Sequence, residues 1–298
     1  YALVPWCFFF FERARGPQGK LRDLVLLGGV FAWLVYAGGI YPLPHTVLAL
    51  GCYAVLLSVQ QRGLQPLGIL ALGGLIGVGL AAPKLLPMLD TFAVDPRLIE
   101  SKERLDLGSL ITLLTHPVQP FRARPAPVRP YGWHEWGMYI SWTGLGILVL
   151  GVVLVDGRRE RALKIVGLLL GLLGLGAFHG QAPWPLLHEH VPVFRSQHVP
   201  SRFLYPALLM LTLVAAAGLG RLVDRRRRHR WLDPALTVLV CLLAMDVARV
   251  AQQPMRDAMW MVPPDIPSGR SFHFEEEPPY HYEKRDWAVW EEKGAERA

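Results

Sequence analysis

Two arginines and two histidines stand within a dozen residues at the mouth of an apolar run: His190, Arg195, His198 and Arg202, in "HVPVFRSQHVPSRF". From Phe203 to Gly220 the chain then carries no charge. A planar guanidinium matches the oxygens of a phosphate in two parallel hydrogen bonds, which a lysine does not reproduce. Charges at the edge of an apolar span lie at the depth of lipid head groups. Two readings stand side by side: the arginines bind ordinary head groups or pair with an acid such as Glu189, or they hold the phosphate of a substrate. Pro192, Pro200 and Pro206 argue for a turned or re-entrant segment here rather than one continuous helix.

Two other stretches carry groups of the same kind. In "GLAAPKLLPMLDTFAVDPRLIESKERLDLGSLITLLTHPVQP", Pro83 and Pro87 are expected to break or kink the end of a span. Lys84 lies among apolar residues there. Ser101 to Leu114 has the spacing of a short amphipathic helix on the membrane surface, either a plain cap of the bundle or a place where Lys84, Arg97 or Arg104 meets an anionic lipid-linked substrate. In "YGWHEWGMYISWTG" the residues Trp133, Trp136, Tyr139 and Trp142 form an interfacial aromatic belt. Glu135 within it is costly at the edge of hydrocarbon unless paired or wet, which makes it a candidate site residue, and His134 beside it is a weaker one. The chain holds no P-loop, GxSxG, HExxH or dinucleotide fingerprint. Cys7, Cys52 and Cys241 all sit in apolar runs and read as small hydrophobes, not as disulfide or metal sets. No metal and no cofactor are expected.

The elements that must position these groups are legible in composition. Of 298 residues, 52% are hydrophobic and only 18% charged, with mean hydropathy +0.28; soluble domains carry about a quarter charged residues. The charges are gathered between apolar runs at Tyr1–Phe11, Leu24–Tyr41, Thr46–Val59, Leu67–Leu80, Gly137–Val155, Leu163–Phe178, Phe203–Gly220 and Ala235–Val250. About 20 apolar residues cross a bilayer as helix. The expected fold is all-α, a polytopic transmembrane bundle of about eight spans, with exported loops and a short exported C-terminal tail. The domains are residues 1–250 as transmembrane bundle and 251–298 as tail. The first run is half a span with no basic segment before it, so it reads as the end of a truncated helix rather than a signal peptide. On that reading the chain is the C-terminal part of a longer protein.

Basic residues follow alternate runs: Arg13, Arg15, Lys20 and Arg22, then Arg62, then Arg158, Arg159, Arg161 and Lys164, then Arg221 and the run Arg225–Arg228. The positive-inside rule places all of these in the cytoplasm. The run "RRRRHR" is therefore a stop-transfer signal rather than a nucleic-acid patch, and no nucleic-acid partner is expected. Segments 83–136, 179–202 and the tail fall on the exported side. In that tail Glu275, Glu276 and Glu277 exclude insertion. Gly167, Gly171, Gly174 and Gly176 have the small-residue spacing of helix packing. Neither solenoid repeats nor an inverted pair of broken helices is visible.

The segments "VYAGGIYPLPHTVLAL", "GVGLAAPKLLPMLD", "YGWHEWGMYISWTGLGILVL", "VPVFRSQHVPSRFLYPALLMLTLVAAAGLGRL" and "CLLAMDVAR" occur in that order. Together they resemble the later part of bacterial YfhO-like membrane proteins, within the group of C-type (GT-C) glycosyltransferase folds. The matching positions are Gly38, Gly39 and Pro42; Leu85, Leu86 and Pro87; Glu135; Phe194, Arg195, Pro200 and Arg202; and Asp246. The insertion "SQHV" between Arg195 and Pro200 departs from the family spacing. The resemblance implies a multi-pass protein of the bacterial cytoplasmic (inner) membrane. It implies sugar transfer on the exported side, from a polyprenyl-phosphate-linked donor to a glycan or lipid acceptor. Arg195, Arg202, His198, Glu135 and Lys84 are the expected substrate-binding residues. The catalytic acid of such enzymes lies in the first exported loop after the first helix, so no residue here inherits that role by motif. A lipid or polysaccharide transporter, or a non-catalytic membrane assembly factor, is the alternative.

Overall fold

The computed structural model describes residues 1–94, 98–118, 138–225 and 232–259. The chain divides into two compact units, Tyr1–Ala258 and Met259–Ala298, and the bundle is the first of them. Its helices are α1 (Val4–Arg15), α2 (Leu21–Tyr36), α3 (Pro42–Gln61), α4 (Gln65–Val94), α5 (Leu107–Thr115), α6 (Ser141–Leu154), α7 (Arg158–Gly174), α8 (Pro183–His190), α9 (Pro192–Arg195), α10 (Leu204–Arg225) and α11 (Leu232–Met259). A 3₁₀ turn at Pro200–Phe203 leads directly into α10. Among the described residues extended pairing is limited to one isolated bridge, Arg104 with Gly176.

Each expected apolar run is a helix, but the runs differ in reach. Among the described residues, four helical stretches are long and apolar enough to cross a membrane: Pro42–Gln61, Gln65–Val94, Pro200–Arg221 and Pro234–Gln252. The helices α1, α2, α6 and α7 have only 12, 16, 14 and 17 residues. A helix rises about 1.5 Å per residue, so these four fall short of a hydrocarbon core of about 30 Å. The chain is thus a multi-pass membrane protein by its four long helices, and the count of eight spans is not carried by helix length. Exposed Trp33, Val59, Leu75 and Val153 show the apolar faces that meet lipid.

Pro83 and Pro87 do not break α4, which runs unbroken through both for 30 residues. Each proline removes one backbone donor, and a membrane helix tolerates this where neighbours supply replacements. The carbonyls so deprived are those of Gly79 and Pro83, four residues before each proline; next to the first of them the Tyr36 hydroxyl of α2 donates to the Leu80 carbonyl at 3.2 Å. The surface helix expected from Ser101 starts only at Leu107, because the Asp106 side chain caps it by accepting from the Ser109 amide at 2.7 Å. Residues 101–106 are not helical, and Leu105 donates its amide to the Leu175 carbonyl at 2.9 Å.

Helices α2 and α4 pack against each other most closely, α10 lies against α6 and α7, and α3 joins the two groups by touching both α4 and α7. The contact surfaces use small residues, because apolar area alone drives no association between helices in lipid. A Cβ added at Gly28 would lie 2.5 Å from Ile76 Cγ2, and one at Gly73 would lie 2.7 Å from Leu27 Cδ2. Of the four glycines marked by spacing, Gly167 meets Leu211 and Gly174 meets Leu204, both on α10. Gly171 faces open space, and Gly176 takes a left-handed turn at φ +71° against the Glu103 carbonyl. The core joins Phe11, Leu27, Leu50 and Tyr53 to Leu170, Phe203 and Met210.

Candidate functional site

The prolines of the 179–203 segment start helices rather than prevent them. Pro183, Pro192 and Pro200 each stand at the first turn of a short helical piece, where a missing N–H costs nothing and φ is already set. The segment therefore folds as three helical pieces separated by bends, and Arg195 and Arg202 do not share a helix face. Pro42 starts α3 in the same way, leaving Tyr41 as its cap residue.

These pieces meet the start of α3 through a buried polar pair. The Gln197 amide nitrogen donates to the Ile40 carbonyl at 2.9 Å. That orientation turns its oxygen toward His45 Nε2, also at 2.9 Å. An oxygen acceptor requires the proton on Nε2, so neutral His45 accepts at Nδ1 from the Tyr1 hydroxyl at 3.0 Å. The His45 ring stacks on Phe203 with centroids 3.8 Å apart. Both His45 and Gln197 are fully buried, and buried polar groups persist only when bonded in this manner.

A second set of bonds ties residues 98–105 across the same end. Trp184 Nε1 donates to Ser101 Oγ at 2.9 Å, and Ser101 Oγ donates to the His198 carbonyl at 3.2 Å. His188 Nε2 bonds the Ile99 carbonyl at 3.0 Å, while the Ile99 amide donates to the Arg195 carbonyl at 3.1 Å. Glu103 is buried, and its carboxylate accepts from the Ser201 amide at 3.4 Å.

Of the five residues expected to bind substrate, the structure brings two together. The Arg202 guanidinium carbon lies 4.1 Å from the centre of the Tyr41 ring. His198 places Nδ1 at 3.2 Å from the Tyr41 hydroxyl and donates its backbone N–H to the same oxygen at 3.2 Å. Arg195 is exposed and donates from Nε and Nη2 to the backbone carbonyl of Glu189, at 2.9 and 2.6 Å. Its Glu189 partner is thus main chain, not carboxylate. Lys84 donates to the Tyr36 carbonyl at 2.9 Å, where a cation satisfies the last turn of α2. Glu135, like Arg97 and His134, lies outside the described residues. Arg104 makes a backbone bridge to Gly176. Asp246 of α11 accepts from the Tyr139 hydroxyl at 2.8 Å, and burial together with that bond pushes the Tyr139 phenol above its ordinary range.

Tyr41, His45, Gln197 and Glu103 were missed by motif reading. A signal existed for the first two: "YPLPH" separates two apolar runs on the same alternate side as residues 179–202. Gln197 belongs to the "SQHV" insertion, which looked like a disturbance of spacing and instead supplies the bond to α3.

The opposite end of the bundle holds the basic loops. Glu12 accepts from Arg15 Nη2 at 2.7 Å and from the Tyr53 hydroxyl at 2.7 Å, with Arg159 Nη2 at 3.4 Å. Arg221 pairs with Glu160 at 2.8 Å, and Arg13 with buried Asp23 at 3.1 Å. Among the described residues no cluster of three histidine, cysteine or acidic side chains has the arrangement of a metal site. Compared with protein-family models, with curated proteins and with solved structures, the chain matches none.

Proposed function

We propose that this chain belongs to a bacterial inner-membrane glycosyltransferase of the GT-C kind, and that its exported end binds the phosphate of a polyprenyl-linked sugar donor. The observation that carries the reading is the placement of Arg202 and His198. Both sit on the N-terminal end of one membrane-length helix, α3, and lead directly into another, Pro200–Arg221. A lipid-linked phosphate occupies that depth while its polyprenyl tail stays in hydrocarbon. In transfer, negative charge grows on the departing phosphate, so a guanidinium held in place stabilises the transition state more than the bound donor. The acceptor hydroxyl attacks the anomeric carbon from the face opposite the phosphate and inverts it. The base that takes the hydroxyl proton is assigned to no residue of this chain.

Grouping of the basic loops supports the orientation. Residues following the first, fifth and seventh apolar runs meet at one end through Glu12–Arg159 and Glu160–Arg221, and the Gln65 side chain bonds the Arg15 carbonyl at 3.4 Å. That end is cytoplasmic by the positive-inside rule. Cysteine at exposed Lys102 is expected to react with an impermeant thiol reagent in cells whose outer barrier is opened, and cysteine at Lys20 only after the inner membrane is breached. The reverse pattern overturns the orientation.

Binding is tested on the purified chain in lipid nanodiscs with a polyprenyl phosphate. Arg202→Lys removes the bidentate fork and is expected to weaken binding by about 1.5–3 kcal/mol, roughly ten- to a hundredfold. Arg195→Lys, already bonded to main chain, is expected to change it less. Equal binding by a folded Arg202→Lys protein makes the arginine an interface anchor and removes the substrate reading.

A further inference from the structure

We infer that Tyr41 is the positioning residue of this phosphate site, setting both basic groups at once: its ring face carries Arg202 and its hydroxyl carries His198. The inference rests on the phosphate reading above and adds to it a residue from a different part of the chain, 157 positions away from His198 in sequence. Tyr41 is only 8% exposed. Its backbone is fixed as the cap of α3, immediately before Pro42. The ring is therefore part of the rigid helix end and not of the segment that bears the arginine.

The two contacts use different parts of the side chain. Arg202 lies over the ring at 4.1 Å, an attraction between cation and π face. A guanidinium directs its N–H donors outward within its own plane, so support from the ring holds the group without consuming a donor. The hydroxyl accepts the His198 amide proton at 3.2 Å. Its single proton then points at His198 Nδ1, also 3.2 Å away, which places the imidazole proton of neutral His198 on Nε2. The site so ordered brings a guanidinium and an imidazole together, the two kinds of group that donate to a phosphate mono- or diester.

The pair Gln197–His45 explains why this geometry persists. It fastens residues 197–203 to the same end of α3 through two bonds of 2.9 Å, so Arg202 and His198 approach Tyr41 from a tethered segment. Positioning by a rigid partner lowers the ordering cost of binding an anion.

The experiment compares Tyr41→Phe and Tyr41→Leu for binding of a polyprenyl phosphate in nanodiscs, with thermal midpoints measured alongside. Phenylalanine keeps the ring face and loses the hydroxyl; leucine loses both. The expected order is wild type, then Phe about threefold weaker from the lost hydroxyl bonds to His198, then Leu about tenfold weaker, because the cation–π contact is lost as well. In an Arg202→Ala background the further step from Tyr41→Phe to Tyr41→Leu is expected to have little effect, because the ring face acts through the arginine. A merely structural role predicts equal losses in both backgrounds, tracking the thermal midpoint. Binding by wild type with no loss in a folded Tyr41→Leu protein overturns the positioning role alone. If Tyr41→Leu does not fold, Tyr41→Phe decides: affinity equal to wild type overturns it. Absence of binding by the wild-type chain overturns the phosphate reading and this inference together.

Discussion

Replacing Trp184 by alanine is expected to destabilise the bundle by about 3–5 kcal/mol, the range for emptying a buried aromatic site. Trp184 is fully buried, with Phe203 at 5.9 Å and Phe194 at 6.4 Å between ring centroids. Its Nε1 also donates to Ser101 Oγ, so truncation removes a ring from the core and leaves a half-buried hydroxyl with one partner fewer. Both losses fall on the junction between residues 98–105 and 183–203, where the arginine-bearing segment is fastened. Trp184→Phe keeps a smaller ring and loses the donor with part of the packing, so its cost is expected to lie between about 1 kcal/mol, the value of the hydrogen bond alone, and that of alanine. Reversible unfolding by denaturing detergent measures both variants. An alanine variant within about 1 kcal/mol of wild type, below the range for large core truncations, refutes the claim that these segments hold each other through Trp184.

The second large effect concerns two adjacent glycines with opposite outcomes. Gly28→Leu forces atoms into Ile76 and toward the Gly73 carbonyl, 3.0 Å from the added Cβ. The nearest obstacles lie at or close to the α4 backbone, so no side-chain rotation relieves them and the helices must separate. The expected cost is about 3 kcal/mol, the upper part of the range for overpacking. At Gly29 nothing lies within 4 Å of an added Cβ, and Gly29→Leu is expected to be neutral or slightly stabilising, because leucine favours helix over glycine. The pair controls for hydrophobicity and helix propensity, which change identically. Equal stability of the two variants in the same unfolding assay would falsify the close packing of α2 on α4.

Much of the architecture follows from composition read locally. Every apolar run is helical in the structure, because a segment without charges in lipid must satisfy its backbone internally, and a helix does so within the segment itself. The alternation of basic loops is likewise local, and the contacts of Glu12 with Arg159 and of Glu160 with Arg221 gather those loops at one end. That Arg202 lies at the mouth of a long apolar helix was legible for the same reason: charge next to hydrocarbon is a property of neighbouring residues.

What tertiary structure alone decided is how the ends of elements meet. Pro83 and Pro87 look like breaks in isolation, yet α4 continues through both. Lys84 looks like an isolated cation in the sequence, and its bond to the Tyr36 carbonyl at the end of α2 appears only in the fold. Gly28 and Gly29 are indistinguishable by type and spacing, and only the position of Ile76 separates them. Tyr41 meets His198 and Arg202 across a long stretch of chain. Periodicity reports which face of a helix is apolar, and residue type reports what a group is able to bond. Neither specifies the partner, because the partner is set by the angle and depth at which separate helices pack, and that depends on the shapes of all the side chains between them.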